Sequence, residues 1–189
     1  MKIPFSYIIT FISLIYGLSL THALSCIAEH IQHRKKIQHY WVWWIWALFI
    51  LLIAVGFWIS IFYNWHDQDF IDVRNFCLLA FQSFLFYLMV FIYFNHFGEI
   101  EKNNLRVEFY KYKRLFFIML SIQFSLIFYI LPLFASSEIS FNSFKYILKN
   151  RIPLLELLFI ALSLINNKYF HSIIAFFIIV LALLQFLSG

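Results

Sequence analysis

An all-α bundle of membrane-spanning helices is the fold class this sequence predicts, and three observations carry it. Apolar residues fill 63% of the 189 positions and charged residues only 12%, against roughly 45–50% and about 25% in ordinary soluble domains. The charges gather at the ends of long charge-free intervals, and tryptophan and tyrosine cluster beside them, as anchors at the two faces of a bilayer do. Each of five intervals is long enough to cover the ~30 Å hydrocarbon core as a helix. One polytopic transmembrane domain over 1–189 is expected, with six spans near 5–27, 41–63, 75–97, 115–134, 152–166 and 170–188. Five spans plus a re-entrant hairpin is the alternative.

The first span opens after Lys2 and runs apolar as far as Leu24. That run is longer than the hydrophobic part of a secretion signal, so the segment reads as a retained span although Ala23-Leu24-Ser25-Cys26 loosely resembles a lipoprotein cleavage box. Tyr40, Trp41, Trp43, Trp44 and Trp46 open the second span, and Trp58, Tyr63 and Trp65 close it, a pattern read as two headgroup-level belts. The third and fourth spans are the intervals from Asn75 to Gly98 and from Leu115 to Ser137. The fifth is short and carries Glu156, and the Asn166-Asn167-Lys168-Tyr169 turn folds it against the last span as a helical hairpin. Between the fourth and fifth, Phe141, Phe144, Leu148 and Ile152 recur at helical spacing, so this neck is expected to lie as an amphipathic helix on the membrane surface.

Loop charges choose the direction, because Lys and Arg of short loops stay in the cytoplasm. Arg34, Lys35, Lys36, Lys102, Arg106, Lys111, Lys113, Arg114 and Lys168 fall on one side, nine in all. Lys2, Arg74, Lys145, Lys149 and Arg151 make five on the other, which puts both termini outside. The formal charge of +5 therefore reflects membrane anchoring, and nucleic-acid binding is not expected. Arg34, Lys35, Lys36, Arg106, Lys111, Lys113 and Arg114 form the expected cytoplasmic surface for a partner or for lipid headgroups.

Polar residues inside the spans are few. Ser6, Thr10, Ser13, Gly17 and Thr21 share one face of the first helix, and small residues let a neighbouring helix approach closely. This face is expected to be the main packing seam. Glu156 and the glutamines Gln82, Gln123 and Gln185 are the candidates for a polar core or permeation path. For Glu156 the preferred reading is a first-turn carboxylate after Pro153, facing the positive end of a helix. Asp67, Asp69 and Asp72 form an acidic outer loop in which Asp72 reads as a helix cap.

His22, Cys26, Glu29 and His33 recur at spacings of four, three and four on one helix face, and imidazole, thiolate and carboxylate are transition-metal ligands. A solvated polar helix end is the preferred reading of this set, so no cofactor is expected. His96 and His171 are placed at the same membrane level. Two cysteines, Cys26 and Cys77, cannot build a disulfide framework, and the threading sets them at opposite ends of their spans. No phosphate-binding glycine loop, nucleophile elbow or repeat is present, and no acid, base and nucleophile converge at one level, so no enzymatic activity is expected.

The segments Ile15-Tyr16-Gly17-Leu18-Ser19-Leu20-Thr21-His22, Tyr40 to Phe49 and Phe109 to Phe117, with the short closing hairpin, resemble a group of uncharacterised bacterial membrane proteins of about this size. The resemblance runs over most of the chain and implies a six-span protein of the bacterial inner membrane. It implies no activity, so no catalytic residue is carried over. Two functions are weighed. One is an integral membrane subunit that anchors or regulates a protein partner, in an envelope, immunity or phage-defence system. The other is a small oligomeric ion channel or carrier using Glu156 and the glutamines. Charge concentrated in cytoplasmic loops favours the first. The expected partners are the lipid bilayer, a protein at those loops and further copies of the chain.

Overall fold

The computed structural model describes residues 2–65, 69–96, 104–130 and 152–188, with side chains over 2–62, 69–96, 104–127, 129–130 and 156–180. In chain order these form β1 (Lys2–Pro4), α1 (Phe5–Gln32), α2 (Trp41–Trp65), β2 (Phe70–Asp72), α3 (Val73–Tyr93), α4 (Leu105–Ser125), α5 (Ile152–Leu164) and α6 (Lys168–Ser188). A π-helical turn, Leu126–Ile130, continues α4. Among the described residues the fold is all-helical apart from two short strands, and three helices, Phe5–Gln32, Trp41–Phe62 and Val73–Tyr93, are long and apolar enough to cross a membrane. The neck over 136–151, Asp67 and the side chain of Gln185 lie outside the described residues.

α1 packs most extensively on α3 and α4 on α5, with further contacts of α3 with α4, α1 with α2 and α2 with α6. In lipid, apolar burial against a neighbouring helix brings little hydrophobic gain, so interlocking shape and interhelical hydrogen bonds must hold the bundle. Aromatic rings supply the shape. Trp46 is fully buried with Phe117, Phe116 and Phe159 around it, and Tyr93 stacks on Trp43 while donating its hydroxyl hydrogen to Trp43 O at 2.7 Å. The interface belt expected at the start of α2 is thus divided. Trp41 faces outward, whereas Trp43 and Trp46 belong to the core.

Within the chain, α1 does not pack through the small-residue face expected as its main seam. Ser6, Thr10, Gly17 and Thr21 are exposed, and Ser13 is half-buried under Trp58, whose Nε1 donates to its hydroxyl. The face that packs inward carries Ile8, Ile12, Ile15, Tyr16, Ser19, Ala23, Cys26 and His30. Thr10 and Thr21 donate their hydroxyls to their own helix, to Ser6 O and Gly17 O, as inward-facing Ser19 does to Ile15 O. The bulkier face offers many more dispersion contacts to α3.

The strands form an antiparallel ribbon pairing Lys2 with Asp72, Ile3 with Ile71 and Pro4 with Phe70. Each precedes a helix, so the ribbon fastens the starts of α1 and α3 side by side; contacts at matching depth, Tyr16 with Gln82 and His22 with Phe94, show that the two helices then run parallel. Asp72 occupies the N-cap position of α3, as expected, but its side chain makes no capping hydrogen bond; its backbone is engaged in the ribbon instead. Asn104 does cap α4, accepting from the amides of Arg106 and Val107. That cap starts the helix at Leu105, about ten residues ahead of the expected span.

Candidate functional site

The ends of α1 and α3 opposite the ribbon meet in a cluster of polar side chains. Four come from the last three turns of α1: His22, Cys26, Glu29 and His30. Phe94, Asn95 and His96 follow directly on the last turn of α3. Because the helices are parallel, the backbone leaving α3 passes beside the α1 face that carries these groups, and its carbonyls are no longer engaged in a helix. Imidazoles take them up. His22 Nε2 donates to Phe94 O at 3.0 Å and His30 Nε2 to Asn95 O at 2.9 Å.

Within this cluster one donor atom each from His22, Cys26 and His96 lies within 4.8 Å of the others. The Cys26 thiol, fully buried, sits 3.8 Å from His22 Nε2 and 3.8 Å from Phe94 O. The His22 and His96 rings meet edge to face with centroids 5.4 Å apart, and Phe91 stacks on the other side of His22. His96 Nδ1 donates to Glu29 Oε2 at 2.7 Å, with both side chains partly open, 44% and 31% exposed. Of the four-residue set expected on α1, His22 and Cys26 converge and Glu29 stands behind His96. His33 is turned away, its Nδ1 donating to Glu29 O. The third donor comes from another helix, which spacing along α1 cannot reveal.

The cluster continues into α4. Asn95 Nδ2 donates to Glu108 Oε1 at 3.1 Å, and Glu108 is buried in the first turn of α4, where the positive helix end favours a carboxylate. Lys113 departs from the expected surface set. It is only 5% exposed, and its Nζ donates to Ile165 O at 2.6 Å and Leu162 O at 3.5 Å, closing the C-terminal end of α5. Burial pulls the Lys113 ammonium below its ordinary pKa. His171 meets the same carbonyl from α6, donating Nε2 to Ile165 O at 2.8 Å among the rings of Phe109, Tyr110 and Phe117. It does not join the His96 group.

The remaining basic residues do face outward: Arg34, Lys35, Lys36, Arg106, Lys111 and Arg114 are exposed. Two loops are pinned together beneath them. Leu105 N donates to Gln38 O at 3.3 Å and Asn104 Nδ2 to Gln38 Oε1 at 2.6 Å.

The intramembrane candidates form braces. Gln82 Nε2 donates to the Tyr16 hydroxyl at 2.6 Å, linking α3 to α1, and Gln123 Nε2 donates to Gln82 O at 3.3 Å, linking α4 to α3; both glutamines are fully buried. Glu156, half-buried on α5, accepts from Ser125 Oγ at 2.8 Å and neighbours Tyr129. It therefore ties α5 to α4 across the helix pair, a contact beyond the first-turn role expected of it. Cys26 and Cys77 form no disulfide, the one buried and the other exposed near the start of α3. No protein-family model, curated protein or solved structure matches this chain.

Proposed function

We propose that the chain is a six-span subunit of the bacterial inner membrane, termini outside, that anchors or regulates a protein partner through its cytoplasmic loops, in an envelope, immunity or phage-defence system. The observation that carries this reading is where the polar atoms are spent. Gln82, Gln123 and Glu156 are engaged between helices, and such bonds supply rigidity rather than exchangeable ligands for a moving ion. Exposed basic side chains gather beside the Gln38–Asn104 bond, Arg34, Lys35 and Lys36 in the loop after α1 and Arg106, Lys111 and Arg114 along the N-terminal half of α4. That surface attracts an acidic protein face and the anionic lipid of the inner leaflet at once. The same bonds argue against the channel or carrier.

The test pairs binding with flux. Reversing Lys35, Lys36, Lys111 and Arg114 to Glu should leave insertion intact and abolish the complex recovered by crosslinking in intact cells. Purified protein in liposomes should pass no more ions than empty vesicles. Ion flux that Glu156→Gln abolishes in well-folded protein would replace this reading with the channel.

A further inference from the structure

We infer that His22, Cys26 and His96 form a binding site for one divalent transition ion of zinc's class, with Glu29 as the carboxylate that orients His96. This stands independently of the partner reading, because it rests on coordination geometry alone.

A zinc ion held at ~2.0–2.1 Å from nitrogen and ~2.3 Å from sulfur sets tetrahedral donors roughly 3.3–3.5 Å apart. The 3.8 Å between Cys26 Sγ and His22 Nε2 is a few tenths of an ångström from that spacing, and the whole trio falls within 4.8 Å. His96, whose side chain is 44% exposed, brings the third donor from the chain leaving α3. Two imidazoles and one thiolate suit zinc and its neighbours and are poor ligands for magnesium or calcium.

The surroundings match what such a site requires. A ligating histidine commonly gives its second ring nitrogen to a carboxylate, which fixes the tautomer and strengthens the donor. His96 Nδ1 and Glu29 Oε2, 2.7 Å apart, already make that bond and leave Nε2 for the ion. Phe94 O faces both His22 Nε2 and Cys26 Sγ. When the ion enters, His22 gives up its hydrogen bond to that carbonyl, takes the tautomer with its ring proton on Nδ1 and presents the Nε2 lone pair, and the Cys26 thiol releases its proton to water. The ion then cross-links the last turns of α1 to the chain leaving α3. Spacing along α1 gathers donors of one helix only; His96, the third, is brought to them by the way the chain leaves α3.

The test uses full-length protein in detergent micelles under reducing conditions, titrated with Co2+ alone and then with Zn2+. One Co2+ per chain should bind with the near-ultraviolet absorption of a cobalt–thiolate bond, and equimolar Zn2+ should displace it. Cys26→Ser should abolish that absorption, while Cys77→Ser leaves it unchanged. His96→Gln, at a partly open position that does not threaten folding, should weaken binding at least tenfold. Glu29→Gln should weaken it by roughly 10–100-fold, and His33→Gln should not weaken it. Absence of stoichiometric cobalt binding, absorption that survives Cys26→Ser, or affinity unchanged in His96→Gln would each overturn the proposal.

Discussion

The two ends of the α1–α3 pair are closed by different chemistry. At the ribbon end the chain pairs with itself, Lys2–Pro4 against Phe70–Asp72, and the Phe5 amide donates to Asp69 O at 3.0 Å. At the histidine end side chains capture backbone carbonyls, His22 taking Phe94 O and His30 taking Asn95 O, the same device by which Lys113 and His171 hold Ile165 O at the end of α5. A backbone ladder asks little of its side chains and is indifferent to solution conditions. A closure made of imidazoles beside a thiol is built from groups that can also ligate a metal. The same helix pair therefore carries a fixed end and a chemically addressable one.

The largest effect expected from disturbing this contrast lies at the ribbon. Ile71 is 1% exposed and centres the strand pair. Ile71→Ala should cost about 2–5 kcal/mol, the range for deleting a buried aliphatic side chain, read as a lowered unfolding midpoint in detergent. It should leave the Co2+ affinity of the opposite end unchanged. A smaller effect is expected from Lys113→Met, which keeps the stem of the side chain but strips the C-terminal carbonyls of α5 of their charged donor. About 1.5–3 kcal/mol is the scale for a hydrogen bond to a charged group, and protease cleavage between α5 and α6 should accelerate while the ribbon stays protected. The smallest belongs to the middle of α1, which neither end controls. A Cβ added at Gly17 meets nothing within 4 Å, so Gly17→Leu should change stability by less than about 0.5 kcal/mol. A large loss there would restore the small-residue face as a seam within the chain.

The long apolar helices were legible because charge exclusion marks a span directly. Expected spans of 5–27, 41–63 and 75–97 overlie Phe5–Gln32, Trp41–Trp65 and Val73–Tyr93. What charge exclusion marks is the apolar interval, and a helix need not stop where that interval does. α1 continues through Glu29 and His30, and α4 begins at Leu105, among residues whose charges read as a loop. The Asn104 cap, followed by a first-turn acid at Glu108, was the available local signal for that early start. Three-residue strands are too short to leave a pattern, so the ribbon was hidden. The site was half legible. His22, Cys26 and Glu29 announce themselves by helical spacing, but His96 and the Asn95–Glu108 bond depend on how α3 ends beside α1. Which face of α1 packs within the chain was not legible from hydroxyls: outward Thr10 and Thr21 and inward Ser19 alike bond their own i−4 carbonyls.

The claim that the two ends are held by different chemistry is tested most directly by amide hydrogen exchange on the chain in lipid nanodiscs, comparing it with the double substitution His22→Leu and His30→Leu. Two carbonyl captures are then removed, and each lost bond is worth on the order of 0.5–1.5 kcal/mol, or more where the acceptor is left buried and unpaired. Exchange at the Phe94 amide, bonded to Val90 O in the last turn of α3, should accelerate roughly tenfold to hundredfold through local opening of that end, while the Phe5 amide, bonded to Asp69 O across the ribbon, keeps its protection. Equal acceleration at both ends, or unchanged exchange at Phe94, would contradict the account.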